Sequence, residues 1–208
     1  MRKIVIFDFD GTIVKSMDLA LKLYNELARK YKTRVFNDDD VQTFKQLSTA
    51  ERFKFVGAPF YLIPLMIYAF KQNYKRHVGS LGGVEGMKAL IMELKARGMP
   101  LAIISSNSRS NIMQYLHRTG LDVFDHVVSS RGIGGKYRTL RKMARMLKLD
   151  TQNMVYIGDE ILDIEACRKA GVRMIAVTWG FESAEHLASH RPDFLVNRPD
   201  EIIPIVSG

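Results

Sequence analysis

The chain has 208 residues, 47% of them hydrophobic and 25% charged, with 15 Gly and 6 Pro, a balance that excludes wholesale disorder and low-complexity or collagen-like structure. Cys167 is the only cysteine, so a disulfide scaffold and a cysteine-based zinc site are excluded as well. The formal charge of +9 suits nucleic acid, an anionic membrane surface or a small anionic substrate, and by itself selects none of them.

The first element is an apolar run at residues 3–9, read as a strand buried on both faces. Acidic residues cut this run too early for a secretory leader, so a cytoplasmic protein is expected. Residues 15–80 then show no convincing strand pattern. Helical periodicities recur at 18–31, 38–47, 49–56 and 62–78, which reads as a small helical cap inserted after strand one. The longest uncharged run, 55–70, carries Gly57, Pro59 and Pro64 and falls short of the roughly 18–20 residues that span a bilayer, so no transmembrane segment is expected. The aromatic and Met-rich stretch 53–70, followed by Lys71, Lys75, Arg76 and His77, could seat on a membrane or a partner, but internal packing of the cap is the plainer expectation. Arg52 and Lys54 could meet a substrate carboxylate, but a solvated helix face is the plainer expectation. Val14 to Ser16 and Gly79, Gly82 and Gly83 mark the two chain crossings and are read as hinges.

Beyond the insert, strand-like runs at 101–105, 127–129, 155–158 and 174–178, with a short one at 194–196, alternate with amphipathic helices at 86–97, 108–119, 136–147 and 161–170. Gly120 and Gly171 fall where a left-handed residue ends a helix. The alternation predicts an α/β fold with a doubly wound parallel sheet, its core formed by residues 1–14 and 81–208 and its cap by 15–80. Arg138, Arg141, Lys142, Arg145 and Lys148 form the wet face of an amphipathic helix. No aromatic stacking platform or recognised binding motif accompanies them, so no nucleic-acid partner is expected.

Ligands of open α/β sheets bind outside the carboxyl ends of the strands, and polar residues collect there. Asp8-Phe9-Asp10-Gly11-Thr12 ends the first strand. Gly158-Asp159 ends another, with Asp163 one helical turn further on, so that both of these carboxylates can address one spot above the sheet. Two like charges about 4 Å apart repel by roughly 4 kcal/mol at an effective dielectric near 20, so a gathering of carboxylates needs protons or a cation. An oxygen-only donor set without His or Cys points to Mg²⁺. Ser105, Ser106, Asn107 and Ser108 precede a helix whose amino end is suited to phosphate oxygens, with ordinary capping as the plainer alternative for the last three. Lys136 opens a helix after Gly132, Gly134 and Gly135, a place unfavourable to a cation unless a phosphate or the Asp8 carboxylate compensates it.

These four groups, taken in chain order as Asp8 to Thr12, Ser105, Lys136 and Gly158-Asp159 with Asp163, resemble the motifs of the haloacid dehalogenase (HAD) superfamily, and Val177 to Phe181 resembles its phosphoglycolate phosphatase branch. The resemblance implies a Rossmann-like HAD core and a phosphoric monoester hydrolase. It assigns Asp8 as nucleophile and Asp10 as the acid that protonates the leaving oxygen and then activates water. It implies Mg²⁺ held by the Asp8 carboxylate, the Asp10 carbonyl, Asp159 and Asp163, and a substrate phosphate bound by Gly11, Thr12, Ser105, Ser106 and Lys136. Thr12 is expected to orient Asp10 or its loop. Asn107 and Arg109 could contact substrate. A small phosphorylated metabolite, phosphoglycolate-like or a sugar phosphate, is the expected substrate. A phosphomutase of the same fold and a slow phosphate- or partner-binding module are the alternatives.

Overall fold

The computed structural model describes residues 3–47, 49–130, 132 and 134–208, and leaves the side chains of residues 49, 50 and 53 undescribed. Six parallel strands form one sheet in the order β3-β2-β1-β4-β5-β6. They are β1 (Ile4–Phe7), β2 (Leu101–Ser105), β3 (His126–Ser129), β4 (Met154–Gly158), β5 (Arg173–Val177) and β6 (Phe194–Val196). This is the doubly wound order, and its topological switch lies between β1 and β4. In register, Phe7 pairs with Ile103 of β2 and Ile157 of β4, so the carboxyl ends of the three strands finish level.

Alternation along β1 explains both layers of the core. Val5 and Phe7 face one cluster with α5 (Met87–Ala96), α6 (Arg109–Thr119) and α10 (Ile202–Ser207). Ile4 and Ile6 face another with α7 (Gly135–Leu147), α8 (Ile161–Ala170) and α9 (Ala184–Ser189). Both faces are covered, which is why β1, β2 and β4 read as continuous apolar runs. Cys167 is buried and free in the second cluster. The strand and helix boundaries differ from the sequence expectation by a residue or two at most ends, and the six-residue α9 and α10 had no sequence signal long enough to show periodicity.

Between β1 and β2 lie α1 (Met17–Tyr31), α2 (Asp38–Lys45), α3 (Thr49–Val56) and α4 (Ile63–His77). An Asn37–Asp40 capping box starts α2. Phe36 is the hub of the insert's own packing, meeting Tyr24, Phe44 and Phe55 at ring-centroid distances of 4.5, 5.4 and 5.2 Å. The chain's exit and return are bonded side by side: the Lys15 amide donates to the Gly82 carbonyl at 2.9 Å, and the Val84 amide to the Ile13 carbonyl at 3.0 Å.

The stretch 53–70 departs from the expectation of internal packing. Met66, Phe70 and Tyr74 recur every fourth residue of α4 and turn inward, whereas Phe60, Tyr61, Leu65, Ile67 and Tyr68 are exposed, Phe60 by 88%. A single helix buries one stripe, and α4 has spent its stripe on α1 and the sheet edge. No helix among the described residues is long and apolar enough to cross a membrane.

Candidate active site

Asp8 follows the last residue of β1, and its amide donates to the Ile157 carbonyl of β4 at 2.8 Å, which fixes it above the switch point. Its side chain is nearly buried. One oxygen accepts from the Phe9 amide at 2.7 Å and the other from Lys136 Nζ at 2.6 Å. Lys136, the second residue of α7, also donates to Asp163 and lies 3.8 Å from Glu160. The cation that would oppose the dipole of α7 is thus compensated by Asp8 and Asp163. Burial alone would lower its pKa, but these two carboxylates outweigh that effect and hold the ammonium well above its ordinary range.

Asp159 and Asp163 reach the same edge from the end of β4 and the start of α8. Asp159 is fully buried; its oxygens accept from the Thr12 hydroxyl at 2.7 Å and the Phe181 amide at 2.8 Å. Burial, then the charges of Glu160 and Asp8, raise its pKa well above the carboxylate range. Burial pushes Asp163 up to about 7 against the pull of Lys136. Glycines make room for these groups. A Cβ at Gly11 or Gly180 would collide with the Asp159 carboxylate, and one at Gly158 with that of Asp163. Gly11 also holds φ at +73°, a left-handed value that favours glycine.

The donor set fits a hard divalent cation. Oxygens of Asp8, Glu160 and Asp163 all lie within 4.8 Å of one another, sharing the one ammonium of Lys136. The buried Asp163 Oδ2 has no hydrogen-bond partner. An orphaned carboxylate oxygen inside a net-negative cluster is the arrangement that a bound cation resolves.

Asp10 stands beside this cluster. Its Oδ1 accepts from the Tyr74 hydroxyl of α4 and its Oδ2 from Asn107 Nδ2 at 2.8 Å. Loss of water raises its pKa to about 6, opposed by the Tyr74 and Asn107 hydrogen bonds and helped by the Asp8 charge. Ser105 ends β2, buried, with its hydroxyl accepting from the Asn107 amide at 3.3 Å. Ser106 is exposed, and Ser108 is the residue that caps α6, accepting from the Asn111 amide.

Expectations for two residues change. Thr12 is fully buried and gives its hydroxyl to Asp159, which ties its loop to the end of β4 and directs that hydroxyl away from Asp10. Arg52 is no solvated side chain: it donates to Glu182 Oε2 at 2.6 Å and to the Phe44 carbonyl at 3.1 Å, tying the insert to the loop after β5. Lys54 and Arg109 are exposed, while Asn107 faces Asp10. Sequence reasoning missed Tyr74, Glu160 and Glu182. Glu160 adjoins Asp159 and could have been read as a further carboxylate, whereas nothing sets Tyr74 apart from its aromatic neighbours.

A cavity of about 240 Å³ separates the insert from the sheet edge, lined by Leu21, Phe44, Arg52 and Phe70 on one side and by Glu160 and Phe181 on the other. A model of the haloacid dehalogenase-like hydrolase family matches residues 5–177. The chain belongs to that family. Among its haloacid dehalogenase-like relatives, a phosphoglycolate phosphatase of Synechococcus elongatus is 31% identical over 98% of this chain and 96% of its own length. A pyrophosphatase PpaX of Listeria welshimeri is 27% identical, covering 97% and 95%. A haloacid dehalogenase-like family protein from Streptococcus pneumoniae superposes with a TM-score of 0.84 at 19% identity, covering 98% of each chain, and shares the fold. The protein is therefore an enzyme of the family's phosphatase kind.

Proposed function

We propose that this haloacid dehalogenase-like protein is a cytoplasmic, Mg²⁺-dependent phosphatase that hydrolyses a small phosphorylated metabolite through an aspartyl-phosphate on Asp8. The observation that carries the reading is Lys136 bound between Asp8 and Asp163, with Asp163 Oδ2 left unpartnered. Asp8, Glu160 and Asp163 supply the oxygens that approach one another for Mg²⁺, and the family resemblance adds Asp159 and the Asp10 carbonyl. When bound, the cation offsets the repulsion between an anionic nucleophile and an anionic phosphoryl group.

The chain's own residues do the rest. The Asp8 carboxylate attacks phosphorus, and Lys136 and Ser105 bind the transferring oxygens, preorganised donors being commonly worth about 3–4 kcal/mol each. Asp10 gives its proton to the leaving oxygen as that bond to phosphorus breaks, and afterwards takes one from the water that cleaves the phosphoaspartate. The helical insert acts as the cap, enclosing the leaving group in the cavity and excluding water. Because Arg52 is already paired with Glu182, that cavity is mostly apolar in character, with Lys45 as its further cation.

Hydrolysis of p-nitrophenyl phosphate tests the reading. We expect turnover with Mg²⁺ that is abolished by EDTA and falls at least about 10⁴-fold in Asp8→Asn, as for loss of a covalent nucleophile. Activity retained in Asp8→Asn would overturn it.

A further inference from the structure

The two oxygens of the Asp10 carboxyl are held by different parts of the molecule. Asn107 holds Oδ2 from the core, and its own amide is locked: Asn107 Oδ1 accepts from the Ser108 amide and from Asn111 Nδ2, each at 2.8 Å, so its Nδ2 must face Asp10. The Asn107 carbonyl accepts from the Ser129 hydroxyl at 2.7 Å, anchoring the same residue to β3. Oδ1 is held from the insert. Tyr74 is 6% exposed, its ring stacked on Phe70 at 5.9 Å and packed into the cluster that backs β1, and its hydroxyl is on Asp10.

We propose that Tyr74 is a positioning residue: from the seated insert it binds Oδ1 of Asp10 while Asn107 binds Oδ2, and the pair aims the Asp10 carboxyl at the leaving oxygen. The inference rests on Asp10 acting as general acid and base. An amide Nδ2 only donates, so Oδ2 stays an acceptor throughout, and the transferable proton resides on Oδ1 beside Tyr74. The Tyr74 hydroxyl donates to Oδ1 and fixes the plane of the carboxyl, which leaves the other lone pair of Oδ1 to carry the proton towards the leaving oxygen and, later, to receive one from water. In the first half-reaction, the bond from phosphorus to the leaving oxygen breaks, its electron pair stays on that oxygen, and the Oδ1 proton moves to it. The acid is fully aligned only when α4 is in place, which couples cap seating to chemistry.

The test compares two substrates with the same phosphoryl group and different needs for a proton. An alkyl phosphate such as phosphoglycolate expels a basic alkoxide and depends on the acid; p-nitrophenyl phosphate expels a stabilised phenolate and does not. For Tyr74→Phe we expect kcat/KM on the alkyl ester to fall about 10- to 100-fold, through kcat with KM nearly unchanged, and on p-nitrophenyl phosphate by less than about 3-fold. Tyr68→Phe, on the exposed face of the same helix, leaves both substrates unchanged. The ratio of the two kcat/KM values in one preparation is independent of the folded fraction, so a less stable variant still reports. Equal losses on both esters, no loss on either, or a change in KM alone would overturn the role of Tyr74 while leaving the phosphatase reading intact. Turnover that survives in Asp8→Asn would overturn both.

Discussion

The sheet edge and the helical insert meet at one reaction centre but are built to different rules. At the edge, Asp8, Asp159 and Asp163 are buried and stand at the ends of buried strands or the first turn of α8, and Asp159 and Asp163 are crowded by glycines that tolerate no side chain. In the insert, the wall is mostly aromatic and apolar, and its polar groups include Tyr74, Lys45 and the Arg52 that pairs with Glu182. The edge is constrained by electrostatics, where moving a group leaves a charge unpaired. The insert is constrained by shape, where many side chains of similar size serve. The edge therefore tolerates few substitutions, and the wall of the insert tolerates more.

The comparison is broken most severely at Lys136. In Lys136→Met the carboxylates of Asp8 and Asp163 lose their shared partner, and we expect kcat on p-nitrophenyl phosphate to drop about 10²- to 10³-fold with Mg²⁺ present. A loss under 10-fold would place the phosphoryl-binding charge elsewhere. A smaller effect is expected across the gap between the two regions. Arg52→Ala leaves the buried Glu182 with His186 but without its guanidinium partner, and we expect KM to rise roughly 3- to 10-fold with kcat within about 3-fold, because the insert is held less firmly while Lys136 keeps its contacts with Asp8 and Asp163. Steady-state kinetics on the same ester separates the two variants.

The most delicate test concerns stability and pH in EDTA. Asp10 binds its proton more tightly in the fold, with a pKa of about 6 against an ordinary 3.8. Its contribution to stability is therefore complete below pH 3.8 and is lost as pH rises through 6. Asp10→Asn escapes that loss. Its melting temperature relative to the parent should rise between pH 4 and pH 8, by about 2–4 °C for each kcal/mol recovered in a chain of this size. A difference that is flat with pH, measured by thermal denaturation, would show that Asp10 carries no such burden.

How far the sequence revealed all this follows the same division. The strands were legible because a parallel sheet covered on both faces demands unbroken apolar runs, as at 101–105. Asp8, Ser105, Lys136, Asp159 and Asp163 stood out as candidates because each falls at the end of a strand or in the first turn of a helix, where polar residues interrupt a pattern, and Asp10 because it shares the turn after β1 with Asp8. Tyr74 was not, since a hydroxyl in an aromatic stripe has no local signature; its meaning is a partner 64 residues away. Arg52 was misread for a related reason: a charge at helical spacing looks solvated until a buried Glu182 arrives from far along the chain. Thr12 was expected to orient Asp10 or its loop, and the partner of its hydroxyl, Asp159, stands 147 residues on, where local sequence gives no hint of it. Phe60 and Tyr61 were placed inside because composition cannot say which stripe of a helix finds a neighbour.

The bonded exit and return of the insert have an evolutionary corollary. Lys15 and Gly82 are adjacent rungs of one ladder, as are Ile13 and Val84, so the whole intervening segment hangs from two points a single strand spacing apart. Another segment spliced in at those rungs would leave the strand order unchanged. It would have to supply again the apolar side chains that Leu23 and Val78 pack behind β1 and the donor that Tyr74 offers to Asp10, so an exchange of this segment that failed to restore them would disturb the acid together with the pocket.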